Sequence, residues 1–364
     1  MQIQKVLNEQ VEKIRALFYD EVETELPFRN LVFKGGGMRG AAYVGALEVL
    51  DSEGVLDQIE RVAGTSSGAI TATLVSLRRD LDETLHLIGT LDFSKVPQRK
   101  QNGSAPVVPL LNRKVELAAL DEISSEVESA NRLIRRFGWY SSDYVYTWME
   151  DVISRYCGGN GRATFADFQA YGYRELYIVA SNLSRRRSEV FSAGNTPNTA
   201  VVDAVRLSTS IPLFFEALRF NGTQFGKGDY YVDGGVFDNY PIHIFDDPRF
   251  SRNNRHYYNG VNWETLGCYL YPSEKEADRG EPIQGLLSYM KAVISSLYSA
   301  HQVAAFDLNQ LNQQRTIKID DCGVDPTDFS LTHEDDRYQC LVESGRSAAL
   351  AYLDGYNLHD LLTV

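Results

Sequence analysis

The order of glycine turns and apolar runs predicts an α/β fold built on a mostly parallel sheet. An apolar run at 30–33 leads into a glycine cluster and then a helix pattern that Gly54 closes. A second run at 61–63 leads into another glycine-flanked turn and a helix pattern at about 69–77. Parallel strands need crossover connections, usually helices, so this alternation is typical of a parallel α/β sheet.

The rest of the chain continues this alternation without a clear domain boundary. Further strands are predicted at 175–179, 188–191, 230–232 and 316–319, and further helices at about 143–156, 199–207, 283–311 and 335–353. The predicted organisation is an amphipathic N-terminal helix at 1–27, one domain at 28–354 with a helical or loop insertion (a possible lid) at about 92–140, and a tail at 355–364. Neither a repeat nor a low-complexity linker argues for a second domain.

Composition excludes several classes of protein. The 364 residues include 49 acidic and 36 basic side chains, and the net charge of −13 opposes binding to nucleic acid. The N-terminus lacks an apolar signal segment, and no run of 18 apolar residues occurs. We therefore expect a cytoplasmic protein, with export by a route that needs no such signal left open.

The cysteines and acidic residues predict neither a disulfide nor a metal site. The four cysteines are far apart, without CxxC spacing, which favours reduced structural thiols (Cys157, Cys268, Cys322 and Cys340). The acidic run at 320–328 lacks the spacing of an EF-hand and is interpreted as a solvated turn. We expect no metal and no cofactor.

The first glycine cluster, GGGMRG at 35–40, predicts an anion-binding turn. Glycines between a strand and a helix expose backbone N–H groups, and the helix N-terminus adds partial positive charge. The anion is either a bound phosphate or the oxyanion of a transition state. The cluster also fits G-x-G-x-x-G, but the second strand ends without the carboxylate that a dinucleotide site requires.

The second turn, GTSSG at 64–68, fits G-x-S-x-G and predicts a nucleophile at Ser66. Its glycines permit a sharp strand-to-helix turn that exposes the serine, and the following helix stabilises negative charge there. The motif lies one βα unit after the first glycine turn. Because the carboxyl ends of neighbouring parallel strands share one edge of a sheet, we expect the two turns to lie side by side.

A serine nucleophile needs a base, and two alternatives exist. An α/β-hydrolase triad requires several strands before the nucleophile and a well-placed late histidine. Only one strand precedes Ser66, and His243 is the one histidine near another motif. The other alternative is Asp233, which ends a strand and is followed by Gly234 and Gly235. A partly dehydrated carboxylate there would have a raised pKa and would accept the serine proton directly.

Together these motifs resemble those of the patatin-like phospholipases, which are related to the catalytic domain of cytosolic phospholipase A2. GGGMRG, GTSSG and the DGG at 233–235 carry the resemblance, and softer matches at 164–168, 208–212, 239–241 and 329–346 follow in order. It covers about 28–354, with 92–140 poorly matched. The resemblance implies a three-layer α/β/α fold with the nucleophile on a strand–turn–helix elbow.

The resemblance also assigns roles to residues. It implies Ser66 as nucleophile, Asp233 as base and no metal in the chemistry. The implied oxyanion hole consists of Gly36, Gly37, Met38 and Arg39. The implied motif glycines are Gly35, Gly40, Gly64, Gly68, Gly234 and Gly235. Met38 departs from the small residue common there, but only its backbone is needed.

The predicted function is that of a lipid acyl hydrolase of the phospholipase A type. Its expected substrate is a phospholipid or another acyl lipid, reached through peripheral contact with a membrane. Two alternatives stay open: a serine esterase or thioesterase for small soluble acyl compounds, and a latent effector that a protein activator switches on. The predicted helix at 283–311 is interpreted as packing on the core, with docking to a membrane or partner as the alternative.

Overall fold

The computed structural model describes residues 26–96, 133, 135–272, 282–285, 288–289, 292–296, 298 and 306–356. The predicted N-terminal helix, most of the predicted insertion and most of the predicted tail lie outside these residues. No helix in the described ranges combines the length and hydropathy needed to cross a bilayer.

A central eight-stranded sheet organises the chain. Its strands are β1 (Asn30–Phe33), β2 (Arg61–Thr65), β4 (Glu175–Asn182), β5 (Arg187–Phe191), β7 (Leu218–Phe220), β8 (Asp229–Asp233), β11 (Thr265–Tyr271) and β12 (Thr316–Asp320). Two small two-stranded sheets pair β3 (Gly138–Tyr140) with β6 (Leu213–Phe215), and β9 (Tyr257–Tyr258) with β10 (Val261–Asn262).

The order β12-β11-β1-β2-β4 is parallel throughout, and β5, β7 and β8 add antiparallel pairs. The predicted α/β class with a mostly parallel sheet is confirmed. Strand β11 was not predicted, although it lies beside β1 in the centre of the sheet. Its seven residues include Gly267 and two tyrosines, so its apolar run is weak.

Helices supply most of the larger core cluster on one face of the sheet. In chain order they are α1 (Ala42–Ser52), α2 (Val55–Gln58), α3 (Ser67–Ser76), α4 (Leu81–Gly89), α5 (Asp143–Tyr156), α6 (Phe165–Ala170), α7 (Val201–Ser208), α8 (Gln310–Gln314) and α9 (Asp336–Asp354). Helices α1 and α9 approach closely because each has a glycine at the crossing. A Cβ on Gly45 would lie 1.9 Å from the Val342 carbonyl oxygen, and one on Gly345 would lie 1.9 Å from that of Ala42.

The other face is covered by short turns in the described part of the chain. Alternate strand residues point to opposite faces: Leu31 and Phe33 pack in the helical core, whereas Val32 packs in a second cluster. That second cluster includes Tyr240, Ile242, Phe245, Phe250, Tyr269 and Phe306. Burial of both faces explains the apolar run Leu31-Val32-Phe33 in β1.

The predicted helix at 283–311 is wrong at its C-terminal end. Asn309 has an extended backbone, with φ −111° and ψ 93°, and its side chain caps the separate helix α8 by accepting from the Asn312 N–H. A capping side chain competes with continuation of a helix. The described residues at 288–289, 292–296 and 298 are helical.

The prediction that all four cysteines are reduced is also wrong. Cys322 and Cys340 form a disulfide, whereas Cys157 and Cys268 are free and buried. The turn after β12 brings Cys322 beside α9, 18 residues further along the chain. Neither spacing nor composition reveals such a tertiary contact.

Candidate active site

Ser66 lies on a tight elbow between β2 and α3. Its backbone has φ 55° and ψ −126°, a conformation that costs a non-glycine residue about 1–3 kcal/mol. Flanking glycines make the turn sterically possible. A Cβ on Gly64 would lie 2.1 Å from the Gly68 carbonyl oxygen, and one on Gly68 would lie 2.4 Å from that of Phe33. The predicted strand–turn–helix therefore exists, with Ser66 at its tip.

Hydrogen bonds fix the backbone of the elbow. The Ser66 N–H donates to Ser208 Oγ at 2.9 Å, and Ser208 Oγ donates to the Val179 carbonyl at 2.6 Å. Ser66 also precedes the ten-residue helix α3, whose N-terminus favours negative charge at this point. Ser208 is fully buried, and it joins the elbow to α7 and β4. The motif match at 208–212 does not by itself reveal this role of Ser208.

The sheet register brings Asp233 to Ser66. Val179 of β4 pairs with Thr65 of β2 and, on its other side, with β5. The next residue, Ala180, pairs with β5 and with Asp233 of β8. Because a strand has only two edges, β2 and β8 share the same edge of β4 and run toward each other. Ser66, which follows β2, and Asp233, which ends β8, thus lie where two strand ends meet head to head.

Asp233 is fully buried at this meeting point. Its Oδ1 accepts the Gly235 N–H at 2.8 Å, whereas Oδ2 accepts no hydrogen bond of ordinary geometry from the described residues. Burial raises the pKa of Asp233 to about 6, against the opposing effect of the Ser66 hydroxyl, the Gly235 N–H and the Tyr298 hydroxyl. A carboxylate with this pKa is a stronger base than an exposed one.

The glycine-rich turn lies beside the elbow, with several of its N–H groups already bonded. The Gly36 N–H donates to Ser67 Oγ at 3.0 Å, the Met38 N–H to the Pro326 carbonyl at 3.0 Å, and the Arg39 N–H to the Gly36 carbonyl at 3.3 Å. Within the described residues, the Gly37 and Ser67 N–H groups have no acceptor. Two donors are thus free beside Ser66.

A distant segment, 321–331, covers the glycine-rich turn. Asp321 forms an ion pair with Arg39, with Nη1 and Oδ2 2.6 Å apart, and both side chains are largely buried. Pro326 packs on Gly37 so closely that a Cβ there, where φ is +58°, would lie 2.0 Å from the Pro326 carbonyl oxygen. The interpretation of the acidic run as a solvated turn is therefore wrong for Asp321. The Cys322–Cys340 disulfide ties the same segment to α9.

An apolar cavity lies beside Ser66. It is lined by Gly37, Met38, Ser66, Ser67, Ile70, Leu91, Val96, Ser142, Val145, Thr209, Ile211, Phe215 and Phe329. Most of these side chains carry no polar group that would bind a charged ligand. Phe329 also belongs to the 321–331 segment, so this segment contributes both to the turn and to the cavity.

Histidine chemistry finds no support among the described residues. His243, the alternative base, is 64% exposed and faces Asp238 at 3.7 Å. His256 is bonded to Glu264, and His333 contacts the Gly89 carbonyl. The groups that act on the Asp233 carboxyl are hydroxyls and a backbone N–H, without an imidazole.

A serine on a strand–turn–helix elbow, beside a buried carboxylate and an apolar cavity, is typical of serine acyl hydrolases. The model of the patatin-like phospholipase family matches residues 31–246, and the chain belongs to this family. Membership places it among the carboxylic ester hydrolases.

Bacterial and viral proteins are similar to this chain in sequence or in fold. The uncharacterised protein YqhO of Bacillus subtilis is 28% identical over 88% of this chain and 97% of its own length. A probable lipid hydrolase, 463L, of invertebrate iridescent virus 6 is 24% identical over 60% of this chain and 63% of its own. The crystal structure of VipD from Legionella pneumophila shares the fold, with a TM-score of 0.53, 17% identity, and coverage of 90% of this chain and 67% of that one.

Proposed function

We propose that this chain is a phospholipase A-type lipid acyl hydrolase that uses a Ser66–Asp233 dyad. The observation that carries the proposal is the head-to-head meeting of β2 and β8, which brings a serine and a buried carboxylate together at the mouth of an apolar cavity. A fatty acyl chain is the ligand that such a lining favours, since it gains free energy by leaving water and needs no polar partner.

The reaction follows from the positions of the two side chains. Asp233 accepts the proton of Ser66 as Ser66 Oγ attacks the acyl carbonyl carbon. Protonated Asp233 then gives this proton to the oxygen of the leaving lyso-lipid, which generates an acyl-enzyme. In the second half, Asp233 takes a proton from water, hydroxide attacks the acyl-enzyme, and the proton returns to Ser66 as the fatty acid leaves.

Backbone donors stabilise the oxyanion in this proposal. The predicted hole comprises Gly36, Gly37, Met38 and Arg39. The Gly37 N–H is the member of this set without an acceptor among the described residues, and the Ser67 N–H adds a second donor at the N-terminus of α3. Such donors contribute about 3–4 kcal/mol each to transition-state stabilisation. Arg39 then acts through its ion pair with Asp321, which holds the turn.

One observation favours the alternative of a small acyl substrate. The enclosed part of the cavity measures about 60 Å³, so it takes only a few methylene groups of a long chain. A long acyl chain would extend through the open mouth toward a lipid surface. Rates on p-nitrophenyl esters from acetate to palmitate separate the two functions, because a lipase prefers the longer chains and a small-substrate esterase the shorter ones.

The decisive experiment measures fatty acid release from phosphatidylcholine–detergent mixed micelles in the presence of EDTA. We expect Ser66→Ala and Asp233→Asn each to lower kcat by about 10⁴-fold, because each removes a group that acts in the transition state. The matched controls are Ser52→Ala and Asp151→Asn, whose positions are exposed and lie outside the three motifs. Circular dichroism checks the fold of each variant.

Each outcome has a distinct meaning. Activity that survives in folded Asp233→Asn but is lost in His243→Ala would replace the dyad with a histidine-based triad. Release that requires added cell lysate would assign a protein activator. Absence of release on several lipid classes, with short esters still hydrolysed, would transfer the assignment to small acyl substrates.

A further inference from the structure

Two buried polar atoms, one in the dyad and one beside it, lack a hydrogen bond of ordinary geometry among the described residues. These atoms are Asp233 Oδ2 and the Tyr298 hydroxyl oxygen, and both are inaccessible to solvent. Buried polar groups in native proteins are nearly always bonded, so each such atom requires an explanation. The proposed reaction, on which this inference rests, uses Asp233 and leaves Tyr298 without a role.

Tyr298 lies directly against the turn that holds the carboxylate. A Cβ built on Gly235 would lie 3.1 Å from Tyr298 Cε1 and 3.0 Å from Asp233 Oδ1. The ring edge and the carboxylate thus flank the same glycine. The atom nearest to such a Cβ, at 2.8 Å, is Asn239 Oδ1, so three side chains crowd Gly235.

The neighbouring turn of helix anchors Tyr298. Ile294, four residues earlier, lies on the same helix face and is buried in a cluster with Ile211 and Phe215. Both of these side chains line the cavity at Ser66. The face that carries Ile294 and Tyr298 therefore packs on side chains that line the cavity at Ser66.

We propose that Tyr298 is a positioning residue for the base: its hydroxyl donates a hydrogen bond to the Asp233 carboxylate and holds it in place to accept the Ser66 proton. Asp233 is oriented in this way from two sides, by the Gly235 N–H on Oδ1 and by Tyr298 at the other oxygen. The second bond lies outside the three sequence motifs.

Tyr298 is suited to donate throughout the working pH range. Burial raises its pKa well above the ordinary value, and the nearby Asp233 carboxylate adds to this effect. The groups that face Asp233 from each packed element are the Ser66 hydroxyl, the Gly235 N–H and the Tyr298 hydroxyl, and no charged side chain of the described residues is among them. A donor to the carboxylate stabilises its charged form and so lowers the pKa of Asp233.

The test measures covalent labelling of Ser66 by an alkyl fluorophosphonate as a function of pH, read by intact mass. This probe needs no lipid turnover. In the wild-type protein the rate should rise with pH through about 6, as Asp233 loses its proton. In Tyr298→Phe we expect this rise in rate to occur about one pH unit higher. Below that pH, labelling should be about tenfold slower than in the wild-type protein. Tyr144→Phe is the matched control, since its hydroxyl accepts the Asp92 N–H and its ring packs on the same cluster.

The outcomes separate this inference from the proposed function. A Tyr298→Phe profile that is slower by the same factor at every pH, or unchanged, would overturn the positioning role while leaving the dyad intact. A shifted limb in a protein that releases no fatty acid would support the positioning role and contradict the lipid substrate. Failure of wild-type Ser66 to label at any pH would overturn both.

Discussion

The two walls of the site differ in what builds them. The sheet-edge wall consists of the glycine turn at 35–40, the elbow at 64–68 and the DGG at 233–235. The covering wall consists of the 321–331 segment and the helical face with Ile294 and Tyr298. Close backbone approaches at adjoining strand ends shape the first wall. Contacts with segments far away in the sequence shape the second, among them the Arg39–Asp321 ion pair and the Pro326 carbonyl against Gly37.

This difference predicts which amino-acid substitutions each wall tolerates. At the sheet edge, an added Cβ at Gly64 or Gly68 would overlap a carbonyl group of the adjacent backbone. On the covering wall, Arg39 and Asp321 are joined through an ion pair between their side chains. We therefore expect substitutions in the first wall to affect catalysis most, and substitutions in the second to act through the placement of the first.

Gly37→Ala should give the largest effect of this comparison. The position has φ +58°, and the methyl group would overlap the Pro326 carbonyl, so the turn and its free N–H must move. We expect kcat to fall by about 10²–10³-fold with KM little changed, because the donor acts on the transition state. Gly54→Ala, also at positive φ but with open space around it, is the control for backbone strain. Equal losses in the two variants would contradict the assignment.

Asp321→Asn should have an intermediate effect. It removes the charge that pairs with Arg39 while keeping the shape of the side chain, so the glycine turn remains but is held less firmly. We expect kcat to fall by about tenfold, and the stability to fall by about 1–3 kcal/mol in urea unfolding, because Arg39 is left partly buried without its partner. Asp335→Asn, which loses an exposed ion pair with Arg337, should change both by little. If Asp321→Asn kept the wild-type kcat, the Arg39–Asp321 ion pair would have no part in catalysis.

Cys340→Ser should have the smallest effect on activity. The disulfide closes a loop of 18 residues between the 321–331 segment and α9, and a loop of this length stabilises the folded state by about 3 kcal/mol. We expect a lower melting temperature and no more than a few-fold loss of kcat at 25 °C. Cys157→Ser, at a free buried thiol, reports the cost of the substitution alone. An equal melting temperature for Cys340→Ser and wild-type protein would contradict a stabilising bond.

The sheet-edge wall is the part of the site that the sequence predicts. Glycines at 64, 68 and 37 are required by the backbone, so they leave a pattern that can be recognised without coordinates. Apolar runs and glycine turns also predict the order of the first two βα units. Hydrophobic periodicity predicts helices close to α5, α7 and α9. Local signals such as periodicity and caps are sufficient for elements of this kind.

The residues of the covering wall form no motif that can be recognised in the sequence. Asp321 occurs in an acidic run that resembles any exposed turn, and Tyr298 is one of 21 tyrosines. The pairing of Cys322 with Cys340 and the insertion of β11 beside β1 depend on contacts across the folded chain. Ordinary residue types acquire these roles through tertiary position alone.

The late position of β11 has a consequence for synthesis. Strand β1 lies between β2 and β11, and Asn30 meets Thr265 across 235 residues of chain. Ser66 therefore leaves the ribosome well before Asp233, and before β11, the strand that completes the surroundings of β1. The serine and the carboxylate can meet only after Asp233 has been synthesised, 167 residues after Ser66.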